Sequence, residues 1–500
     1  MTKIATGKAS ACGLLDKFLS QPEIGLFIDG EWRGAHNGGE IDVVRPADGV
    51  PFAKIAAATA ADIDDAVAAA ERASTLWGSL PAPDRAVILH RFADLIDENV
   101  EELARLEAMD VGKVVADARG FDIPFSAQAF RYFADLSVHM RVSEPLALKE
   151  IEARQVRVPY GACGFIIPWN FPFMLFAWNV APALAAGNAA VVKPAELTPL
   201  STLLACLLAE EAGIPAGVLN VVPGHGAEAG ASLAEHPRIK RIAFTGSPEV
   251  GRAVAQAAAA NLVPSKLELG GKGAAIVFDD VDVVATADAL AGAITLNAGQ
   301  VCCTATRWFV QRPIFDELVE AASRQLSGLT LGQSLDEEAD LGPVVSAAQQ
   351  KRILDYLDAG RKDGASFILE GGPREPKGSE EGFYVSPALL TGPADNICAR
   401  EEIFGPVAYV MPFDDEADAV SMVNSSAYGL ANSVWSADIG RANDVAERMV
   451  AGNSWINAHN VFAYGLPYGG VNLSGFGRGV NSSQTYLDYL RPQTIARPLV

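Results

Sequence analysis

From about residue 161 onward, short apolar runs alternate with longer stretches whose apolar positions recur at helical spacing. Residues 164–167 read as a buried strand, 178–186 as a helix, 189–192 as a strand and 201–212 as an amphipathic helix. Strands at 218–222 and 239–244 follow, each ending in a glycine turn that opens a helix. A second series begins near Ala274, with strand 274–278, helix 282–296, strand 307–310 and helix 315–326. Such alternation predicts parallel sheets with helices on both faces. Gly270-Gly271 separates the two series and marks a boundary. Residues 30–135 add mainly helices, among them 60–76 and 83–109, while 142–158 alternates without helical signals and predicts a hairpin outside both cores. The expected fold class is α/β: two α/β domains with a small β appendage.

Composition narrows the possibilities. A chain of 500 residues exceeds one compact core, and half apolar with a fifth charged is ordinary globular composition. The longest apolar candidate, 178–192, is broken by Pro182, Gly187 and Asn188 and falls short of the roughly 18 residues a bilayer requires. Lys3 and Lys8 are followed by no apolar stretch before Asp16, so no secretory leader is expected and the cytoplasm is the predicted location. A net charge of −22 opposes nucleic-acid and anionic-membrane partners. The six cysteines form no C-x-x-C pair and no zinc spacing, which fits free thiols in a reducing compartment. No histidine pair has ligand spacing, so no catalytic metal is expected.

Three segments carry chemistry. Asn297-Ala298-Gly299-Gln300-Val301-Cys302-Cys303 ends an apolar helix, where a thiol can face a cleft; alone, such a cysteine pair is equally a small buried hydrophobe. Glu268-Leu269-Gly270-Gly271-Lys272 sets a carboxylate at a strand end beside two glycines, where it can activate water or simply be solvated. Ile167-Pro168-Trp169-Asn170-Phe171-Pro172 forms a rigid loop at the carboxyl end of a strand, and its Asn170 amide can donate to an oxyanion or to backbone. The strict G-x-G-x-x-G fingerprint is absent. Gly224-x-Gly226-x-x-x-Gly230 and Phe244-Thr245-Gly246-Ser247 instead put glycine turns at helix starts, where N–H groups suit phosphate. Lys193-Pro194-Ala195-Glu196 follows a strand where an acidic residue can take ribose hydroxyls or cap a helix.

In order, these segments resemble the aldehyde dehydrogenase superfamily. The likeness runs from about Phe27 to Arg497 and includes Glu401-Glu402-Ile403-Phe404-Gly405-Pro406, Pro467-Tyr468-Gly469-Gly470 and Ser474-Gly475-Phe476-Gly477-Arg478. The resemblance implies a Rossmann-type cofactor domain (1–141 and 159–270), an α/β catalytic domain (271–470) and an oligomerisation hairpin and strand (142–158 and 485–500) that join subunits into homodimers or homotetramers. It implies that Cys302 attacks the aldehyde, that Asn170 and the Cys302 N–H hold the oxyanion, and that Glu268 activates water against the resulting thioester. It assigns NAD to Lys193 and Glu196 (adenosine ribose), Gly246 and Ser247 (pyrophosphate), and Glu402, Phe404 and Gln349 (nicotinamide ribose). Ile167, Pro168, Trp169, Gly226 and Leu269 complete the expected cofactor set. Glu196 would repel the 2′-phosphate of NADP.

The same resemblance places Phe121, Phe125, Phe171, Met174, Trp178, Leu296, Val301, Cys303, His459, Phe462 and Tyr468 along the substrate pocket. That set suits an aromatic or medium-chain apolar aldehyde. No arginine follows Phe171-Pro172 to anchor a carboxylate, and His459 occupies a position where betaine aldehyde enzymes tend to place an aromatic ring. A CoA-acylating relative would lack the glutamate matching Glu268. A cysteine hydrolase would leave Lys193 and Glu196 without a purpose, and a non-catalytic relative would lose Cys302 or Glu268.

Overall fold

The apolar runs too short for helices form the centre of the first sheet. Ala162–Ile166, Ala189–Lys193, Leu219–Val221, Arg241–Gly246 and Ser265–Leu269 pair in parallel, in the spatial order third, second, first, fourth, fifth. The first three are buried at every position, as expected of strands covered on both faces. Leu26–Ile28 pairs antiparallel with Leu219–Val221 and carries Glu31–Arg33 at one edge; Gly475–Phe476 closes the other edge against Ser265–Leu269. This is a computed structural model, describing residues 13–374, 376 and 381–499. The expectation built on Lys3 and Lys8, and the outermost ends of segments 1–141 and 485–500, lie outside the described residues.

Strand order reverses between Ala162–Ile166 and Arg241–Gly246, so the connections leaving their carboxyl ends diverge and open a crevice. The helix Pro172–Ala185 lines one side. It starts earlier than the predicted 178–186 because Pro172 at its first turn brings a preset φ, and it tolerates Pro182 inside. Phe173, Phe176 and Trp178 on this helix are buried, each contributing roughly 1.5–3 kcal/mol relative to exposure.

Gly270–Lys272 crosses to the second sheet, in which Ala388–Thr391, Val407–Phe413, Ala305–Gln311, Gly273–Val277, Ala431–Trp435 and Asn453–Ile456 run parallel. Ser366–Leu369 adds an antiparallel edge. A separate sheet holds Ser143–Leu146, Ile151–Pro159 and Leu490–Pro498, the last two paired over nine residues.

Two expectations need correction. The single helix at 83–109 is two, Ala82–Glu98 and Val100–Val111, because Asn99 leaves helical geometry (φ −114°, ψ 22°) while its side-chain amide donates to the Leu95 carbonyl at 2.8 Å. Residues 30–135 also contain more strand than the helical reading gave: Glu40–Arg45 and Val50–Ala56 form a half-exposed hairpin whose alternation is too weak to stand out. Among the described residues, no helix is long and apolar enough to cross a membrane, and no group of three or more His, Cys, Asp or Glu side chains could hold a metal ion.

Candidate active site

A cavity of about 310 Å³ opens at the strand-order reversal. Cys302 reaches it from a turn after the helix Val283–Thr295. Asn297, Ala298 and Gly299 are all left-handed there (φ 48°, 53° and 72°), and a side chain at Gly299 would collide with the backbone of Gly405. Two left-handed non-glycine residues in succession are costly and persist only where neighbours hold them. The neighbours are amides: the Asn297 side chain donates to the Asn170 carbonyl at 2.8 Å, and the Asn170 side chain donates to the Gln300 carbonyl at 2.9 Å. Gln300, fully buried, donates to the Asn297 carbonyl at 3.0 Å and accepts the Val345 N–H at 2.9 Å. The loop carrying Asn170 and the turn carrying Cys302 are thus locked to each other. One Asn170 amide hydrogen makes the lock, which leaves the second for a ligand.

Cys302 is partly exposed to the cavity, its Sγ 3.4 Å from the Tyr468 hydroxyl. The Cys303 thiol and the Tyr468 hydroxyl stabilise its thiolate and outweigh burial, so the Cys302 thiol lies below its ordinary range. Cys303 is the opposite case. It is buried, its Sγ lies 3.4 Å from Asn460 Oδ1, and the adjoining Cys302 together with burial pushes it well up. Behind it, His459 bonds the Cys303 carbonyl through Nε2 at 2.8 Å and Ser433 Oγ through Nδ1 at 3.0 Å. Burial pulls His459 down to about 4, so it is neutral: Nε2–H donates to the carbonyl and Nδ1 accepts from the serine.

Glu268 sits at the end of its strand, buried, with Oε2 lacking a hydrogen-bond partner among the described residues. Burial pushes its carboxyl up, Lys266 opposes, and Cys302 adds to the rise. Glu402, also lining the cavity, accepts the Gly271 N–H at 2.8 Å and is pushed up to about 7 by burial. A side chain on Gly270 would strike that carboxylate, which accounts for the glycine.

Of the expected site residues, the structure gathers around the cavity Pro168, Trp169, Asn170, Gly246, Ser247, Glu268, Leu269, Cys302, Gln349, Glu402 and Phe404. Phe121, Phe171, Met174, Trp178, Leu296, Val301, Cys303, Phe462 and Tyr468 form its other walls. Trp169 meets Phe404 edge-on at 5.2 Å, and Gln349 donates to the Phe404 carbonyl at 2.8 Å. Ser247 caps the helix Pro248–Ala260 by accepting the Val250 N–H.

Six expected residues do not line it. Ile167 lies behind the loop, bonded through its N–H to the Lys193 carbonyl at 3.0 Å. Lys193 and Glu196 pair at 2.9 Å beyond the cavity. Burial would raise the Glu196 carboxyl, but Lys193 holds it below the usual range. Gly226 begins a one-turn π-helix, with open space around it. Phe125 stands behind Phe121, stacked on it at 4.9 Å and on Tyr464 at 4.5 Å. His459 is not among the lining residues, and both its ring nitrogens are engaged by Ser433 and Cys303. Sequence reasoning missed Leu175, Thr245, Gly270 and Arg352 as lining residues and assigned no role to Asn297 and Gln300. Arg352, whose side chain donates to the Glu402 carbonyl at 2.7 Å, gave no signal beyond standing one helical turn after Gln349.

Comparison with known proteins agrees with this architecture. The model of the aldehyde dehydrogenase family matches residues 32–495. An aldehyde dehydrogenase from Agaricus bisporus is 40% identical, covering 91% of each chain. A betaine aldehyde dehydrogenase from Rhizobium leguminosarum bv. trifolii is 39% identical over 92% of this chain and 94% of its own. Among solved structures, the NAD+ complex of an aldehyde dehydrogenase from Bacillus cereus superposes with a TM-score of 0.94 at 36% identity, covering 97% of this chain and 98% of that one. The chain belongs to the aldehyde dehydrogenase family, and its fold is that family's fold.

Proposed function

We propose that this chain oxidises an aromatic or medium-chain apolar aldehyde to the carboxylic acid with NAD, through a hemithioacetal and a thioester on Cys302. The observation that carries the reading is the constellation around one cavity: a thiol with a stabilised thiolate, an amide with a spare N–H, and a buried carboxylate oxygen with no partner.

The residues fit the dinucleotide. Gly246 and Ser247 face the cavity at the start of a 13-residue helix, whose positive end favours phosphate. The Lys193–Glu196 pair would hold the adenosine ribose, and the Glu196 carboxylate disfavours NADP. Glu402 and Phe404 would hold the nicotinamide ribose. When bound, NAD supplies the hydride acceptor.

The Cys302 thiolate attacks the aldehyde carbon, and the alkoxide formed is held by Asn170 and the Cys302 N–H. Loss of hydride leaves the thioester. Glu268 takes a proton from water as its oxygen attacks the acyl carbon, and the carbon–sulfur bond breaks to return the thiolate.

Trp178, Phe462 and Tyr468 lie 5.4–5.8 Å apart in mutual ring contact, which supports an aromatic or extended apolar substrate. The same rings support a second reading, a quaternary ammonium aldehyde held by cation–π contact. Since His459 is not among the residues lining the cavity, its identity does not weigh against that substrate. Leu146, Ile151 and Ile495 are exposed on the separate sheet, which supports its use as a dimer or tetramer contact.

Glu268→Gln tests the mechanism. It should release one equivalent of NADH per site and then stall with the acyl group on Cys302, visible as added mass. General-base loss costs on the order of 10²–10⁴-fold in turnover. Undiminished steady-state turnover would remove Glu268 from the deacylation step. Ranking benzaldehyde, hexanal, betaine aldehyde and a carboxylate semialdehyde by kcat/KM tests the substrate class; a preference for the semialdehyde would refute it.

A further inference from the structure

Lys266 and Glu268 are two apart on the strand Ser265–Leu269, so their side chains leave the same face, about 7 Å apart at their origins. Both are buried, Lys266 at 0% exposure. Among the described residues, Lys266 Nζ and Glu268 Oε2 each lack a hydrogen-bond partner. A buried ammonium without a counter-charge is costly, so its surroundings need accounting.

The groups that face the pair come from five other parts of the chain. Arg241, on the neighbouring strand, is ion-paired with Asp488 at the end of the helix Ser483–Asp488, and Arg478 stands 4.0 Å from the same carboxylate. Asp488 is therefore already engaged. Cys163, on the strand beyond, is pushed up to about 12 by burial and stays neutral. Tyr489 presents its ring face 5.6 Å from Lys266 Nζ, and burial keeps its hydroxyl protonated. Cys302 faces Glu268 from the cavity side and, as thiolate, disfavours a second negative charge. Gly477 packs against the Lys266 stem and closes that side. Among the described residues, Glu268 is the carboxylate near Lys266 that no other cation has claimed.

We propose that Lys266 is the positioning residue for deacylation, its buried ammonium two residues along the same strand face holding Glu268 as the carboxylate. The inference rests on Glu268 being the base. Burial pulls Lys266 down and pushes Glu268 up, and the charge of each opposes the shift of the other. Removing the ammonium raises the Glu268 carboxyl further, so its base form exists only at higher pH.

The test is steady-state turnover against pH, with NADH bursts, for wild type, Lys266→Met and Lys266→Gln. The expected result is an acidic limb displaced upward by about one unit or more, which is about a tenfold loss below the limb. Turnover should converge with wild type on the alkaline plateau, with the burst still one equivalent per site. Superposable profiles, or a loss uniform across pH, would overturn the proposal. Should neither variant fold, infrared difference spectra of wild type against Glu268→Gln decide. A Glu268 carboxyl band halved by about pH 8 supports the proposal, and one undiminished at pH 9 overturns it. A Glu268→Gln enzyme that turns over normally refutes the base assignment itself, whereas a stalled Glu268→Gln beside an unmoved Lys266→Met profile refutes only the role of Lys266.

Discussion

Tyr468→Phe deletes one oxygen and leaves the ring, which isolates the hydroxyl's effect on the Cys302 thiol. That hydroxyl lies 3.4 Å from Cys302 Sγ, and burial keeps it protonated throughout the working range, so it serves as a donor to the thiolate. Hydrogen bonds to charged groups contribute about 1.5–3 kcal/mol, and a contact this long belongs at the lower figure. About 1.5 kcal/mol corresponds to about one pKa unit. The sign follows from which form is stabilised: a donor favours the thiolate, so its loss raises the Cys302 thiol. The rate of NADH burst formation should fall about tenfold below the acidic limb and match wild type above it. Because the ring contacts to Trp178 and Phe462 survive, KM for an apolar aldehyde should change little. Stopped-flow NADH fluorescence at saturating aldehyde, taken across pH, measures the limb directly. A limb displaced by less than about 0.2 units, or a loss independent of pH, would show that the hydroxyl does not tune the thiol.

Cys302→Ala should abolish turnover while NAD binding, followed by protein fluorescence quenching, persists. Cys303→Ala should be far milder, because its own thiol is buried and pushed up; equal damage from the two would void the assignment of nucleophile. Glu196→Thr should raise the ratio of NADP to NAD kcat/KM by removing the carboxylate that Lys193 holds ionised, and an unchanged ratio would mean that another group reads the ribose.

Much of the fold was legible because its strands are covered on both faces. Residues 189–192 and 274–278 are continuous apolar runs, entered through an asparagine and a glycine. The hairpin Glu40–Arg45 and Val50–Ala56 escaped notice for the converse reason: it is half-exposed, and its apolar residues follow no clean period of two. The two-helix break at Asn99 was equally hidden, since asparagine in mid-helix breaks it only when its side chain competes for the backbone.

The site divides along the same line between local and long-range causes. Cys302, Glu268 and Asn170 stood out because each lies in a short segment rich in glycine or proline, where the chain turns at a strand or helix end. What those segments did not disclose is how they meet. The brace of Asn297 to Asn170 and of Asn170 to Gln300 spans 127 and 130 residues of sequence, and no local pattern records it. Yet that brace decides what Asn170 can do: one amide hydrogen is committed to structure, so the other is aimed from a fixed frame instead of a free rotor. The left-handed turn at Asn297 and Ala298 then has a reason, since it is the geometry that brings the Asn297 amide to the Asn170 carbonyl while turning Cys302 to the cavity. His459 shows the complementary case. Its position along the chain suggested a pocket wall, but a neutral imidazole with one donor and one acceptor has both partners at Cys303 and Ser433, and the ring is not among the lining residues. Sequence position fixes where a side chain begins, and hydrogen-bond supply decides where it points.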